Sequence, residues 1–582
     1  MGFGKEPVVL VDLIQDFCDK EYGVTCNAVL GTTGDNKCFN TFRTCQDAAS
    51  YSKVTDGLTL RFCRPMQQIP LEWNAIPSLS SVDIKPTLLN IGGASDSSGA
   101  LGERGMCTIQ FQDHPDGDIK TDPYLSDRAY DPYSQGTFWT KWLARNVYYK
   151  NRIIKVRQGY IDQTLDEMKI SYYVIDRVQG PNSKGMVTVK GVDILRLVDN
   201  DKVEIPEAST GELLLDLNET ATTFYVANAD ITDYPSSGTV RIGDEIVTYT
   251  SITDEGTYLT FSGVTRATDG SEVDEHDAEE RVQKCLRYID QFPHDVAYDL
   301  IVNEGPVPSQ YIDYTAWDDE ASVWLPQFQV TTLISEPTGA QSLLSSLTKE
   351  CMFYIWWDER VQLINLRAVR PPDQEPVEWS IDGNILEGSQ QYKEDSTQRV
   401  SRVKVYYQPK NWAEDLDKES NFKKLRLSLD LSAESVNEYD DKKVESIYCR
   451  FIKTNAQALN VGERYLARYR DTPKFLSVQT DGDDRDTWTA DIVNVTSDMF
   501  VNFIGEQEKR QFQVISAMEQ RHGEIIQYEL QSSIFIGGKF AFYMADDSPL
   551  YINATEVERR AGAWYADVDG LLPDGSPGYT YQ

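Results

Sequence analysis

Four of the nine cysteines in this chain, Cys18, Cys26, Cys38 and Cys45, fall in one N-terminal stretch with neither helical nor strand period. Two β-type runs bracket it, Val8-Val-Leu-Val11 and Leu58-Thr-Leu-Arg-Phe62. A loop this long does not keep one shape in a compact domain unless something staples it. Scattered cysteines serve as small core residues, whereas four at short, uneven gaps ask for a shared role. Thiolates on zinc or on an iron–sulfur cluster would be such a staple. The gaps are not the tight Cys-x-x-Cys of zinc ribbons, so disulfides and free thiols stay open beside a metal centre. Cys63 is close enough in sequence to replace one of the four. The residues after Met1 include Lys5 and Glu6, and the apolar run to Ile14 is broken by Asp12. That is too short and too charged for a signal peptide or membrane span. Synthesis and assembly in a cytoplasm are therefore expected, where thiols stay reduced and disulfides are the weaker reading.

With 582 residues, about three to five domains are expected. The net charge of −36 argues against a protein that grips nucleic acid by neutralising phosphates. The acid is spread along the chain, as on a solvated surface. The four histidines, His114, His276, His294 and His522, form no zincin pattern. Neither a Gly-x-Ser-x-Gly nor a phosphate-loop motif is present. Asp358 and Glu359 read as a hairpin turn, and no enzyme is expected.

The fold class expected is mainly β with minor α, in several domains. Residues 1–65 form the cysteine-rich segment. Residues 66–205 hold short β runs, among them Arg152-Ile-Ile-Lys-Val156, Met168-Lys-Ile-Ser-Tyr172 and Met186-Val-Thr-Val-Lys-Gly191, punctuated by turns. Residues 206–284 read as a small all-β insertion. Residues 285–376 are mixed α and β. Val282, Cys285, Leu286 and Ile289 share a helical face there, as do Leu343, Leu344, Leu347 and Cys351. Met352–Trp357 and Val361–Leu366 read as a hairpin. Residues 377–535 return to β, with one amphipathic helix from about Asn455 to Arg470. Residues 536–582 read as an extended C-terminal segment.

Several of these stretches carry a resemblance. The cysteine run, with its paired gaps Cys18 to Cys26 and Cys38 to Cys45, resembles the cysteine-rich domain of tail-tip and hub proteins of long-tailed (siphovirus-type) phages and gene transfer agents, as in lambda-type tail tips. A second likeness covers Pro86-Thr-Leu-Leu-Asn-Ile-Gly-Gly93, Phe111-Gln-Asp-His-Pro115, Asp122-Pro-Tyr124, Asp131-Pro-Tyr133 and Gly136-Thr-Phe-Trp139. It is similar to the first hub domain of that family. Ile242-Gly-Asp-Glu-Ile-Val-Thr-Tyr249 with Thr265-Arg-Ala-Thr-Asp-Gly270 and His276 is similar to the small barrel found on such hubs.

The resemblance implies two tail-tube-like β-barrels, at 66–205 and 377–535, and a small barrel at 206–284. It implies a [4Fe–4S] cluster on Cys18, Cys26, Cys38 and Cys45, with zinc as the alternative. It further implies a homotrimeric structural hub in the virion tail tip that closes the tube and opens for DNA ejection. The implied partners are a distal tail protein ring, a tape measure protein and a central tip or fibre. DNA passes through without stable binding, which an acidic lumen would favour. The rival reading is an adsorption protein that binds or trims host-surface glycans. Its warrant is the 32 Tyr and 11 Trp and the small β module. Those aromatics serve equally as core and interface.

Overall fold

The computed structural model describes residues 6–28, 34–91, 101–198, 203–370, 372, 376–380, 383–521 and 523–532. The expected C-terminal segment 536–582 and His522 lie outside them. Strand accounts for 39% of the structure and helix for 19%, so the chain is mainly β and multidomain.

The first large sheet has eight strands: β1 (Pro7–Gln15), β2 (Leu58–Cys63), β3 (Ile76–Pro77), β4 (Leu79–Lys85), β5 (Met106–Gln112), β6 (Ile153–Tyr160), β7 (Lys169–Gln179) and β8 (Met186–Val192). Their order is β3-β2-β1-β6-β7-β8-β5-β4. Only β2 and β3 run parallel. β1 and β2 pair with each other, and β1 also pairs with β6, so the N-terminal strands share a sheet with the 66–205 segment. The cysteine stretch is therefore a long excursion between two neighbouring strands. Alternation places Val11, Leu13, Leu60, Phe62, Ile109 and Phe111 in one core.

A helix that the sequence reading did not anticipate, α1 (Phe138–Arg145), closes this core. Its Trp139 ring stacks on Phe62 at 5.7 Å between centroids, and its Trp142 Nε1 donates to Gln15 Oε1 at 2.9 Å. Across β1, Asp12 is 1% exposed and accepts from Arg61 at 2.7 Å and from Arg157 at 2.8 Å. A carboxylate so deep is tolerable because two guanidinium groups pair it.

The sheet's edges, β3 and β4, are joined by Ser78 alone, so it must curl until they meet. The second large sheet repeats this plan. Its order is Val377–Ser380, Ile492–Val501, Gln507–Arg521, Ile525–Ser532, Lys474–Asp481, Gln391–Glu394. Its first edge strand is again parallel to its neighbour and the opposite edge strand antiparallel. Among the described residues neither sheet is a closed barrel, which differs from the expected architecture. In each, the ladder is broken where the chain steps from one edge to the other.

The 206–284 stretch makes two small sheets around Phe224, Tyr249 and Phe261. The expected helical face at 282–289 is instead two strands, Val282–Lys284 and Leu286–Gln291. Four apolar residues at helical spacing span only two turns, and pairing with Gly238–Ile242 and Val330–Ile334 decides for β. The helix expected around Leu343 is present as Ala340–Cys351, followed by the hairpin Phe353–Asp358 and Leu363–Ala368. Asn455–Tyr469 is helical and opens on a capping box between Thr454 and Gln457.

One buried carboxyl here predicts a pH response. Glu350 is 1% exposed and accepts from the backbone N–H of Arg450 at 3.0 Å and Phe451 at 2.7 Å. Burial outweighs those donors and pushes its carboxyl up to about 8, from 4.5. A raised folded-state value gives stability that is fully present below the unfolded value and lost as pH climbs through the folded one. Stability should therefore fall between pH 4.5 and about 8. Denaturant melts across that window should flatten in Glu350→Gln; an unchanged slope rules this carboxyl out as the cause.

Candidate metal centre

The loop between β1 and β2 brings all four sequence-marked cysteines to one small cavity. Cys18, Cys26, Cys38 and Cys45 line it, together with Lys20, Tyr22, Asn40, Thr41 and Tyr51. The enclosed space is about 10 Å³, room for a single water-sized body. Cys63 is not among the lining residues. It is buried with Val8, Leu10, Trp73 and Met168.

Each cysteine is delivered by a distinct local device. Cys18 follows β1 and its N–H donates to Asn40 O at 2.8 Å. Gly23, at φ +81°, lets the chain turn back so that Cys26 N–H reaches Glu21 O at 2.9 Å. Cys38 precedes Asn40, whose φ of +51° is a left-handed conformation that asparagine tolerates. Cys45 ends the single turn Phe42–Thr44.

Asn40 is the hub of the local hydrogen bonding. Its amide nitrogen donates to Cys18 O at 3.3 Å, and its side-chain oxygen accepts from Cys38 Sγ at 3.3 Å and Tyr124 Oη at 3.0 Å. Tyr124 Oη in turn accepts from Tyr22 N–H at 2.8 Å. Arg128 clamps the outer side. Its guanidinium donates to Lys37 O at 2.9 Å and Cys38 O at 3.0 Å while forking onto Asp122 at 2.8 and 3.0 Å. Its cation also lies 4.2 Å from the centre of the Phe39 ring. Tyr124 and Asp122 come from the Asp-Pro-Tyr motif, which the sequence ties to the 66–205 segment and not to the cysteines. Asn40 and Arg128 carried no sequence signal at all.

Burial pushes the Cys38 and Cys45 thiols above the ordinary value, and the other thiols at the site add to the rise. Without a cation beside them, Cys38 and Cys45 therefore favour the protonated form. A soft metal reverses that preference and releases protons as it binds. None of the nine cysteines is disulfide-bonded. Among the described residues no three His, Cys, Asp or Glu side chains stand in the geometry of a single-ion site. The donor set nevertheless fits a thiolate-held centre: four sulfurs, with no carboxylate or imidazole lining the space. One observation adds to the fit. The Tyr51 hydroxyl is buried at this cavity without a hydrogen-bond partner, a donor that a sulfur-rich guest would satisfy.

His276, quoted with the small-barrel motif, has a different setting. Its Nε2 is 3.0 Å from Glu245 Oε2, and Glu245 also takes the Arg266 fork at 2.7 and 2.6 Å. Burial alone would raise the Glu245 carboxyl; Arg266, the Ala267 N–H and His276 together hold it below the usual range. This is a packed polar core, saturated by its own partners.

No family model and no curated protein matches the chain. Among solved structures it overlaps a tail protein from Neisseria meningitidis MC58 at 11% identity and TM-score 0.35, covering 75% of this chain and 90% of that one. A 43 kDa tail protein of prophage MuSo2 from Shewanella oneidensis overlaps at 8% identity and TM-score 0.35, covering 78% and 97%. A prophage tail protein from Listeria monocytogenes EGD-e overlaps at 9% identity and TM-score 0.24, covering 56% and 90%. Overlaps this loose carry neither architecture nor activity to the present chain.

Proposed function

We propose that this protein is a structural subunit of the tail tip of a long-tailed phage or gene transfer agent, a homotrimeric hub with a metal centre on Cys18, Cys26, Cys38 and Cys45. The observation that carries the reading is the convergence of these four cysteines, picked out in sequence by their crowding, on one cavity. The repeated edge plan of the two large sheets supports it. Three subunits would offer six such curled sheets to a hexameric ring of the tail tube. The metal group would be a [4Fe–4S] cluster, with zinc as the alternative, and its role is to lock a loop that has little apolar core of its own. The small cavity must widen for a four-iron cluster to enter.

In this reading the hub closes the tube, holds the tip or fibre, and opens for DNA ejection, with the distal ring and tape measure protein as neighbours. Gold-labelled antibody against the chain should mark the tail tip of intact particles; label along the shaft or on the capsid would overturn the assignment.

Within the centre, Tyr51 would donate its hydroxyl to a sulfur of the bound group. Tyr51→Phe should leave the metal content unchanged and move the reduction potential of an iron–sulfur cluster to more negative values. An unchanged potential would remove Tyr51 from the role.

A further inference from the structure

Two exposed apolar features, far apart in the chain, carry opposite charge around them. The first is a sheet face. Arg402–Pro409 lies between Phe422–Leu429 and Val444–Tyr448. Val403, Val405, Tyr407 and Ile447 of this sheet join the core that also holds Ala458, Val461 and Tyr465 of the helix Asn455–Tyr469. Register fixes what the opposite side presents: Leu425 beside Tyr406, Leu427 beside Lys404, and Leu429 and Val444 on either side of Arg402.

A solvated sheet face ordinarily carries polar residues at such positions. Here Leu425, Leu427 and Leu429 are 49%, 40% and 39% exposed, and Leu431 and Val436 beyond the strand are 65% and 77% exposed. Phe422–Leu429 is also an edge strand, whose unpaired backbone is open to a partner. Lys404 shares this face, and Lys423 stands two positions before Leu425 on the same side. Neither is ion-paired among the described residues, unlike Arg402, which Glu434 holds at 2.5 Å.

The second feature is the tip of the hairpin between Ile492–Val501 and Gln507–Arg521. Phe503 is fully exposed and Ile504 is 63% exposed. The turn that presents them is firmly built. Asn502 Oδ1 accepts from the N–H groups of Ile504 and Glu506, both at 3.0 Å, and Gly505 N–H donates to Asn502 O at 3.0 Å. Acid flanks the tip. Among the described residues Asp498 and Glu506 have only amide side chains as partners, Gln507 at 3.0 Å and Asn502 at 3.1 Å. A rigid apolar knob rimmed by carboxylates and an apolar face bearing lysines are complementary in both terms.

We infer that the hairpin tip of one copy of this chain docks on the leucine face of a second copy, Phe503 and Ile504 against Leu425, Leu427 and Leu429, with Asp498 and Glu506 facing Lys404 and Lys423. The contact joins unlike surfaces, so it is head-to-tail and must close into a ring or run on as a filament. It stands on these surfaces and not on the metal centre; closure at three is the only part shared with the hub reading.

The test uses the full chain carrying the photo-crosslinker benzoylphenylalanine in place of Phe503, as an equal mixture of ¹⁴N- and ¹⁵N-labelled protein. Crosslinks should join light and heavy chains and map to residues 422–444. Crosslinks that map elsewhere, or only within one chain, overturn the inference. Reversing the tip (Asp498→Lys with Glu506→Lys) or the face (Lys404→Glu with Lys423→Glu) should each weaken self-association at least tenfold by sedimentation. The chain bearing all four reversals should recover it. Loss without recovery, no loss at all, or a wild-type chain that stays monomeric each refutes the pairing. A closed ring of a number other than three leaves the contact standing and overturns the trimeric hub instead.

Discussion

Cys38→Ser should strip the protein of its bound metal and release the loop between β1 and β2, leaving the sheet intact. Anaerobically purified wild type is expected to hold about four irons and four sulfides per chain. One zinc per chain would keep the staple and remove the cluster. In the proposed centre the variant would lose one of four ligands. Serine cannot replace the thiolate because its hydroxyl stays protonated at neutral pH.

The consequence is large because, beyond the Asn40 and Arg128 hydrogen bonds, no strand ladder holds the described residues of the loop. Its cysteines are positioned by single turns and isolated bridges rather than by a ladder. In the proposed centre metal binding and loop ordering would be one equilibrium, and its loss should cost several kcal/mol locally. Hydrogen exchange of the amides of Cys18, Cys26 and Val54 should accelerate at least a hundredfold, while β1 and β6 keep their protection. Affinity should rise with pH, because burial holds the Cys38 and Cys45 thiols protonated and each bound thiolate must give up a proton. Wild type with no metal, or Cys38→Ser with a full complement, would sink the centre.

Asp122→Ala is the second large effect. The Asp122–Arg128 pair has no exposed side-chain surface. Removing the carboxylate leaves a buried guanidinium without its counter-charge, which costs about 3–5 kcal/mol. It also loosens the grip of Arg128 on Lys37 O and Cys38 O, so metal affinity should fall together with stability. Asp122→Asn keeps the shape and one acceptor and should lose less. Thermal unfolding of the two variants, with metal content measured alongside, separates charge from packing; equal and small losses in both would show that the pair contributes little.

Where one face of an element is buried, its pattern could be read directly. β8 and the helix Asn455–Tyr469 carry period and cap signals that agree with their surroundings. The run from Val282 to Ile289 could not be read this way, because four residues at helical spacing span only two turns and pairing with neighbouring strands outweighs so short a period. α1 escaped notice because its Phe138, Trp139 and Trp142 crowd an eight-residue helix, too short for a period to emerge.

The four cysteines were legible by their crowding, yet nothing in their spacing says that they meet. That depends on Gly23 and Asn40 reversing the chain and on Tyr124 and Arg128 reaching in from residues distant in sequence. The sequence by itself determined a mainly β chain, a crowding of four N-terminal cysteines and a strongly acidic balance, because these follow from residue type and short-range period. Tertiary structure alone decided that β1 and β2 join the following strands in one sheet, that Cys63 is excluded from the cavity, and that a leucine row is left facing solvent. Each of these depends on which distant segments pair, and strand pairing is settled by contacts that local pattern does not encode.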